Sequence, residues 1–147
     1  MTFKLLTTYH PNGQKKDEGN WDGQDPVGDH YSWYENGNIK DEALGFDGPI
    51  QTTTSWYENG QLKSKGSCKE GKDHGLYEFY NTNGKLGAKG HLKYGEEDGN
   101  QWRWYENGKL QRKYFCKVYN IGINLLCKFN YISNMAIHDL FNIWINS

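Results

Sequence analysis

Trp56-Tyr57-Glu58-Asn59-Gly60-Gln61-Leu62-Lys63 is the stretch whose reading decides the fold. It returns as Trp33-Tyr34-Glu35-Asn36-Gly37-Asn38-Ile39-Lys40 and as Trp104-Tyr105-Glu106-Asn107-Gly108-Lys109-Leu110. Looser copies are Tyr9-His10-Pro11-Asn12-Gly13 and Tyr80-Asn81-Thr82-Asn83-Gly84-Lys85-Leu86. The turn glycines Gly13, Gly37, Gly60, Gly84 and Gly108 are spaced by 24, 23, 24 and 24 residues. A fixed period in this range is the signature of a repeat architecture. Asn-Gly between alternating apolar and polar residues signals a hairpin, because a type I′ turn needs positive φ at both central residues. Five stacked hairpins are therefore expected.

With Asn59-Gly60 as the two turn residues, Tyr57 faces Leu62 and Trp56 faces Lys63. Directly opposed residues share a face of a sheet. One face is then expected to carry Tyr57 with Leu62, Tyr34 with Ile39 and Tyr105 with Leu110. The other carries a row of rings, Trp33, Trp56, Tyr80 and Trp104, among long polar neighbours such as Lys63. Beyond the turn, Leu62, Ser64, Gly66 and Cys68 alternate with Lys63, Lys65, Ser67 and Lys69, a period-two strand with a solvated lysine face. Gly19, Gly66 and Gly90 each fall six residues past a turn glycine. Glycine weakens a strand interior unless something lies close against it, so a ring from a neighbouring hairpin is expected over each. Gly71-Lys72-Asp73-His74-Gly75 and Gly95-Glu96-Glu97-Asp98-Gly99 reverse the chain between hairpins, whereas Gly48-Pro49-Ile50-Gln51-Thr52 lacks the closing glycine.

A chain of 147 residues is one domain by length. Its 35% hydrophobic content is low, while 16% aromatics and 18 glycines suit a thin sheet with one row of rings per repeat. The expected fold is all-β: an elongated single-layer antiparallel sheet of about five hairpins, with a short C-terminal helix as cap. The array is expected over residues 1–117, with repeats near 9–30, 31–53, 54–76, 77–99 and 100–117. Residues 118–147 turn apolar, and Ser133-Asn134 can cap a helix through Ile137, Leu140, Phe141, Trp144 and Ile145. A poorly folded tail on a truncated array is the alternative. Asn124, Lys128, Asn130 and Asn134 interrupt that stretch, so no membrane span and no membrane contact are expected.

The net charge of −1, with 17 basic and 18 acidic residues, argues against a nucleic-acid partner. Cys68, Cys116 and Cys127 have no metal-like spacing and read as reduced thiols. Met1 to Thr8 is too short an apolar stretch for a signal peptide. Both point to the cytoplasm. Of five histidines, His74 and His91 can approach across neighbouring repeats, yet a third ligand is lacking; no metal and no cofactor are expected. No nucleophile sits beside a base, no glycine loop is left over to cradle phosphate, and Glu96-Glu97 falls in an exposed bend. No enzyme activity and no catalytic residue are expected.

Gly71-Lys72-Asp73-His74-Gly75 and Trp56-Tyr57-Glu58-Asn59-Gly60-Gln61-Leu62 together resemble the MORN repeat variant, as found in bacterial YwqK-type antitoxin components. The resemblance covers about residues 9–115. It implies an elongated, curved, single-layer sheet of hairpins that binds a protein, beside a cognate toxin in the antitoxin case, with lipid contact in the wider group. The chain departs from the pattern at Gly48–Thr52 and at Asn81-Thr82, which replaces Tyr-Glu. The expected function is a non-enzymatic scaffold for a protein partner. Glycan or lipid-headgroup binding by Trp33, Trp56, Lys63, Tyr80 and Trp104 is the alternative, since rings spaced along a sheet suit stacking.

Overall fold

The computed structural model describes residues 3–23, 26–45, 48–117 and 126–128. They form one open antiparallel sheet of thirteen strands. Five hairpins follow in chain order: β1 (Lys4–Tyr9) with β2 (Lys15–Trp21), β3 (Pro26–Trp33) with β4 (Ile39–Leu44), and β5 (Gln51–Trp56) with β6 (Leu62–Lys69). The short β7 (Lys72–Asp73) pairs back on β6 and precedes β8 (Gly75–Tyr80), which pairs with β9 (Leu86–Lys93). The equally short β10 (Glu96–Glu97) pairs back on β9 before the last hairpin, β11 (Gly99–Trp104) with β12 (Leu110–Lys117). Each hairpin also pairs with the next, so the ribbon grows at right angles to its strands. In the tail, β13 (Leu126–Lys128) adds to β12; the helix expected from Ser133 onward lies outside the described residues.

The Asn-Gly turns differ from the type I′ expectation. Pairing runs Ser55 opposite Ser64, then slips, with Trp56 opposite Leu62. The same slip precedes all five turns. Tyr57 N–H donates to Gln61 O at 2.8 Å, and Gly60 N–H to Tyr57 O at 2.8 Å. Gly60 has φ +82°, whereas Asn59 is not left-handed. The loop is therefore three residues, Glu58-Asn59-Gly60, with only its glycine left-handed, in the manner of a type I turn closed by a glycine bulge. One residue of slip overturns the expected faces near the turn. Trp56 stands opposite Leu62, and Lys63 lays its Nζ 5.9 Å from the Tyr57 ring centroid, as Lys40 does at 6.0 Å from Tyr34. Two-residue turns with both residues left-handed do occur, at the opposite end of the hairpins: Glu70-Gly71 (φ 53° and 73°) and Tyr94-Gly95 (φ 53° and 89°).

Asparagine has another task at these turns. Its Oδ1 accepts the N–H two residues on, at 3.0 Å for Asn59 and Gln61. Its Nδ2 donates to a carbonyl of the following turn: Asn12 to Glu35 O at 2.7 Å, Asn36 to Glu58 O at 3.0 Å, Asn59 to Thr82 O at 3.4 Å, Asn83 to Glu106 O at 2.9 Å. A second set of rungs runs beside the first. His10 bonds Trp33 O at 2.8 Å, Tyr34 Oη donates to Trp56 O at 2.8 Å, and Tyr57 Oη donates to Tyr80 O at 2.7 Å. At Asn81, where the pattern departs from Tyr, the turn keeps its backbone bonds. The rung is missing there, and the buried Asn81 Nδ2 has no hydrogen-bond partner.

Away from the turns the alternation of faces holds. One row crosses the sheet from Leu6 through Gly19, His30, Ala43 and Thr53 to Gly66. It continues with Tyr77 and Gly90, then Gln101 and Tyr114. We call this the glycine face; the opposite one, with Lys63, Lys65 and Lys69, is the lysine face. Burial is concentrated at the C-terminal end of the glycine face. Among the described residues the buried hydrophobic ones are Ala88, Tyr114 and Cys116, and Gln101 is buried completely.

Candidate functional site

Gly19 is covered by a ring of the neighbouring hairpin, as expected, whereas at Gly90 the neighbouring hairpin supplies a carboxamide and the ring comes from Gly90's own hairpin; neither is covered by the Trp row. A Cβ on Gly19 would overlap the His30 imidazole. A Cβ on Gly90 would overlap the Gln101 carboxamide and lie 3.0 Å from Cε1 of Tyr77. Gly66 differs: the nearest atom a Cβ would meet is Tyr77 Cβ, at 4.0 Å.

The reason lies in the polar network of the last two repeats. Tyr77 Oη donates to Gln101 Oε1 at 3.0 Å and accepts from Arg103 Nη1 at 2.7 Å. Gln101 Nε2 donates to His91 O at 2.7 Å, which fixes its carboxamide over Gly90. Glu97 Oε1 accepts from Arg103 Nη2 at 3.0 Å and from Tyr114 Oη at 2.8 Å. The Tyr77 ring is thus drawn toward Gly90 and away from Gly66. Burial pushes the Tyr77 phenol above its ordinary range. Burial first, then the bond to the Glu97 carboxylate, pushes Tyr114 up to about 12. Glu97 was expected in an exposed bend; β10 instead turns it onto the glycine face, where Arg103 and Tyr114 claim it.

What remains over Gly66 is a shallow trough of about 490 Å³. Thr53, Ser64, Gly66, Phe79, Ala88 and Arg103 line it. Phe79 is 39% exposed there. None of these residues was singled out as a site from sequence. The legible signal was the row position seven before each turn glycine, occupied by Leu6, His30, Thr53, Tyr77 and Gln101. Such variation at a fixed repeat position marks where the repeats differ in what they present.

The residues singled out from sequence form no single cluster. Trp33 stacks on Tyr31 at 6.2 Å and receives Lys15 Nζ at 5.3 Å. Tyr80 Oη donates to Glu78 at 2.9 Å. Trp56 and Tyr80 each lend a backbone carbonyl to the tyrosine rung of the preceding hairpin. Lys63 covers Tyr57, and Trp104 ends β11 half-buried. On the lysine face Glu78 accepts from Lys89 at 3.1 Å and from Tyr80, and those two bonds hold its carboxyl below the usual range. His74 and His91 do approach, with ring centroids 6.4 Å apart, but His74 packs closer to Tyr94, at 5.0 Å. Among the described residues no three His, Cys, Asp or Glu side chains gather as a metal site would need. No helix among them is long and apolar enough to cross a membrane.

Compared with known families, the chain matches the model described as MORN repeat variant four times, over residues 26–44, 52–69, 73–94 and 97–115. The matched segments make up more than half of the 147 residues. No curated protein matches the chain.

Proposed function

This chain belongs to the MORN repeat variant family, and from that premise we propose that it is a non-enzymatic scaffold whose glycine face binds a protein partner. The family is a non-catalytic repeat type of binding scaffolds. The observation that carries the reading is the single layer itself. Large apolar side chains stay exposed along it, among them Leu6, Phe79 and Leu110 at about 39% each. A thin sheet that leaves such side chains uncovered offers them to a partner surface. The likeness to YwqK-type antitoxin components makes a toxin encoded beside this chain the first partner to try.

The glycan or headgroup alternative draws less support. Its named cation, Lys63, is already engaged over Tyr57, as Lys15 is over Trp33 and Lys113 over Trp102. Each such pair contributes about 0.5–1 kcal/mol at an exposed site and must loosen before the lysine serves an anion. The test is co-purification of the full chain with the product of a flanking gene, followed by mass measurement of the complex. A stoichiometric complex is expected, weakened by Phe79→Glu. Failure to capture any protein, together with a Trp fluorescence change on anionic vesicles, would reverse the order of the two readings.

A further inference from the structure

We propose that the trough over Gly66 is a subsite for a planar aromatic side chain presented by the protein partner. This rests on the scaffold reading above and assigns its central contact. The fold itself shows what covers a bare strand backbone at this row: the His30 ring over Gly19, and the Tyr77 ring with the Gln101 carboxamide over Gly90. Each is a flat group laid on a residue without a side chain. Gly66 sits at the same repeat position and has a neighbouring ring, Tyr77. That ring is held over the next repeat by its bonds to Gln101 at 3.0 Å and Arg103 at 2.7 Å.

The lining suits a ring with a polar tip. Gly66 and Ala88 give a floor without bulk, and Phe79 offers a ring for edge or offset contact. Thr53 and Ser64 supply hydroxyls, so a tyrosine can donate and accept there. Arg103 stands at the rim, 26% exposed, with its charge already met by Glu97 at 3.0 Å. A carboxylate therefore gains little from Arg103. A trough of about 490 Å³ is large enough for one aromatic side chain with part of its backbone.

The experiment uses the full chain, isotope-labelled, titrated with N-acetyl-tyrosinamide and N-acetyl-tryptophanamide, with N-acetyl-leucinamide as control. Saturable shifts are expected at the Thr53, Ser64, Gly66 and Phe79 amides for the two aromatic probes. Gly66→Val fills the floor; Gly66 is not left-handed and has room for a Cβ, so the variant is expected to fold. It should weaken the aromatic probes about tenfold or more and leave the turn amides of Gly37 and Gly84 in place. Shifts that the substitution does not alter, shifts confined to Trp33, Trp56 and Trp104, or equal binding of the leucine probe would each overturn the subsite. So would nuclear Overhauser contacts from residues 118–147 to Gly66 in the free protein, which would make the chain's own tail the occupant. If Gly66→Val still captures the partner at wild-type strength, the subsite is wrong and the scaffold stands. If no partner is captured while the probes bind Gly66, the scaffold reading fails on its own.

Discussion

At the scale of single residues, two glycines in one hairpin make opposite demands. Gly60 holds φ +82° in the loop, a conformation that costs an L-residue about 1–2 kcal/mol. Gly66 has no such demand, and a Cβ there would meet Tyr77 Cβ only at an unstrained 4.0 Å. Gly60→Ala should therefore lower stability by about 1–2 kcal/mol, and Gly66→Ala should raise it by about 0.4–1 kcal/mol through a stiffer unfolded chain. Urea midpoints of the two variants check both signs. Tyr114 gives a pH-dependent counterpart. Its proton is held more tightly folded, at about 12, than the ordinary 10.0 of an unfolded tyrosine. Its contribution to stability is whole below pH 10 and is lost as pH rises through 12, because the folded state binds more protons across that window. Tyr114→Phe should flatten this alkaline loss in urea titrations. Below pH 10 it should cost about 1 kcal/mol, since Glu97 loses a donor.

At the scale of elements, the sequence displayed five hairpins, and the structure has five. Period and turn residues are local properties, and the chain states them directly. The detailed turn was harder to see. Asn-Gly fits both a two-residue I′ loop and a three-residue loop with a left-handed glycine, and the two differ by one step of register. The structure takes the second, and Asn59 then bonds forward to Thr82 O, a contact 23 residues away that no local rule contains. The polar network was illegible for a similar reason: Glu97, Arg103 and Tyr114 meet only after three strands have paired. Asn81 tests how much the rungs between hairpins matter. It packs against Gly87, at a position where other hairpins carry a lysine beside a tyrosine. Asn81→Tyr has room above Gly87 and should restore a rung to the Trp104 carbonyl. A gain of about 1 kcal/mol is expected from the added hydrogen bond and the removal of an unpartnered buried amide. Calorimetry reads it as a higher Tm.

At the scale of the whole molecule, the array has two different ends. β13 adds to β12 at one end, whereas β1 ends the described sheet at the other with one side of its ladder unpaired. Phe3, Leu5 and Tyr9 there are 57%, 60% and 61% exposed. An edge of this kind is a template for another strand. Leu5→Lys should reduce concentration-dependent association in light scattering and leave the circular dichroism spectrum unchanged. An unchanged association profile would place the contact between copies elsewhere.

Strands that lie across the length of the ribbon also settle how it answers a pull. Tension between the first and last hairpins falls along the backbone hydrogen bonds, one row after another, so the rows carry it in series and not together. The molecule should then yield at modest force, one hairpin at a time, with each release paying out a similar length of chain. Under load it behaves as an extensible tether, and the last join to yield is the one between the fourth and fifth hairpins, where Tyr77, Gln101 and Arg103 add side-chain bonds to the backbone rows.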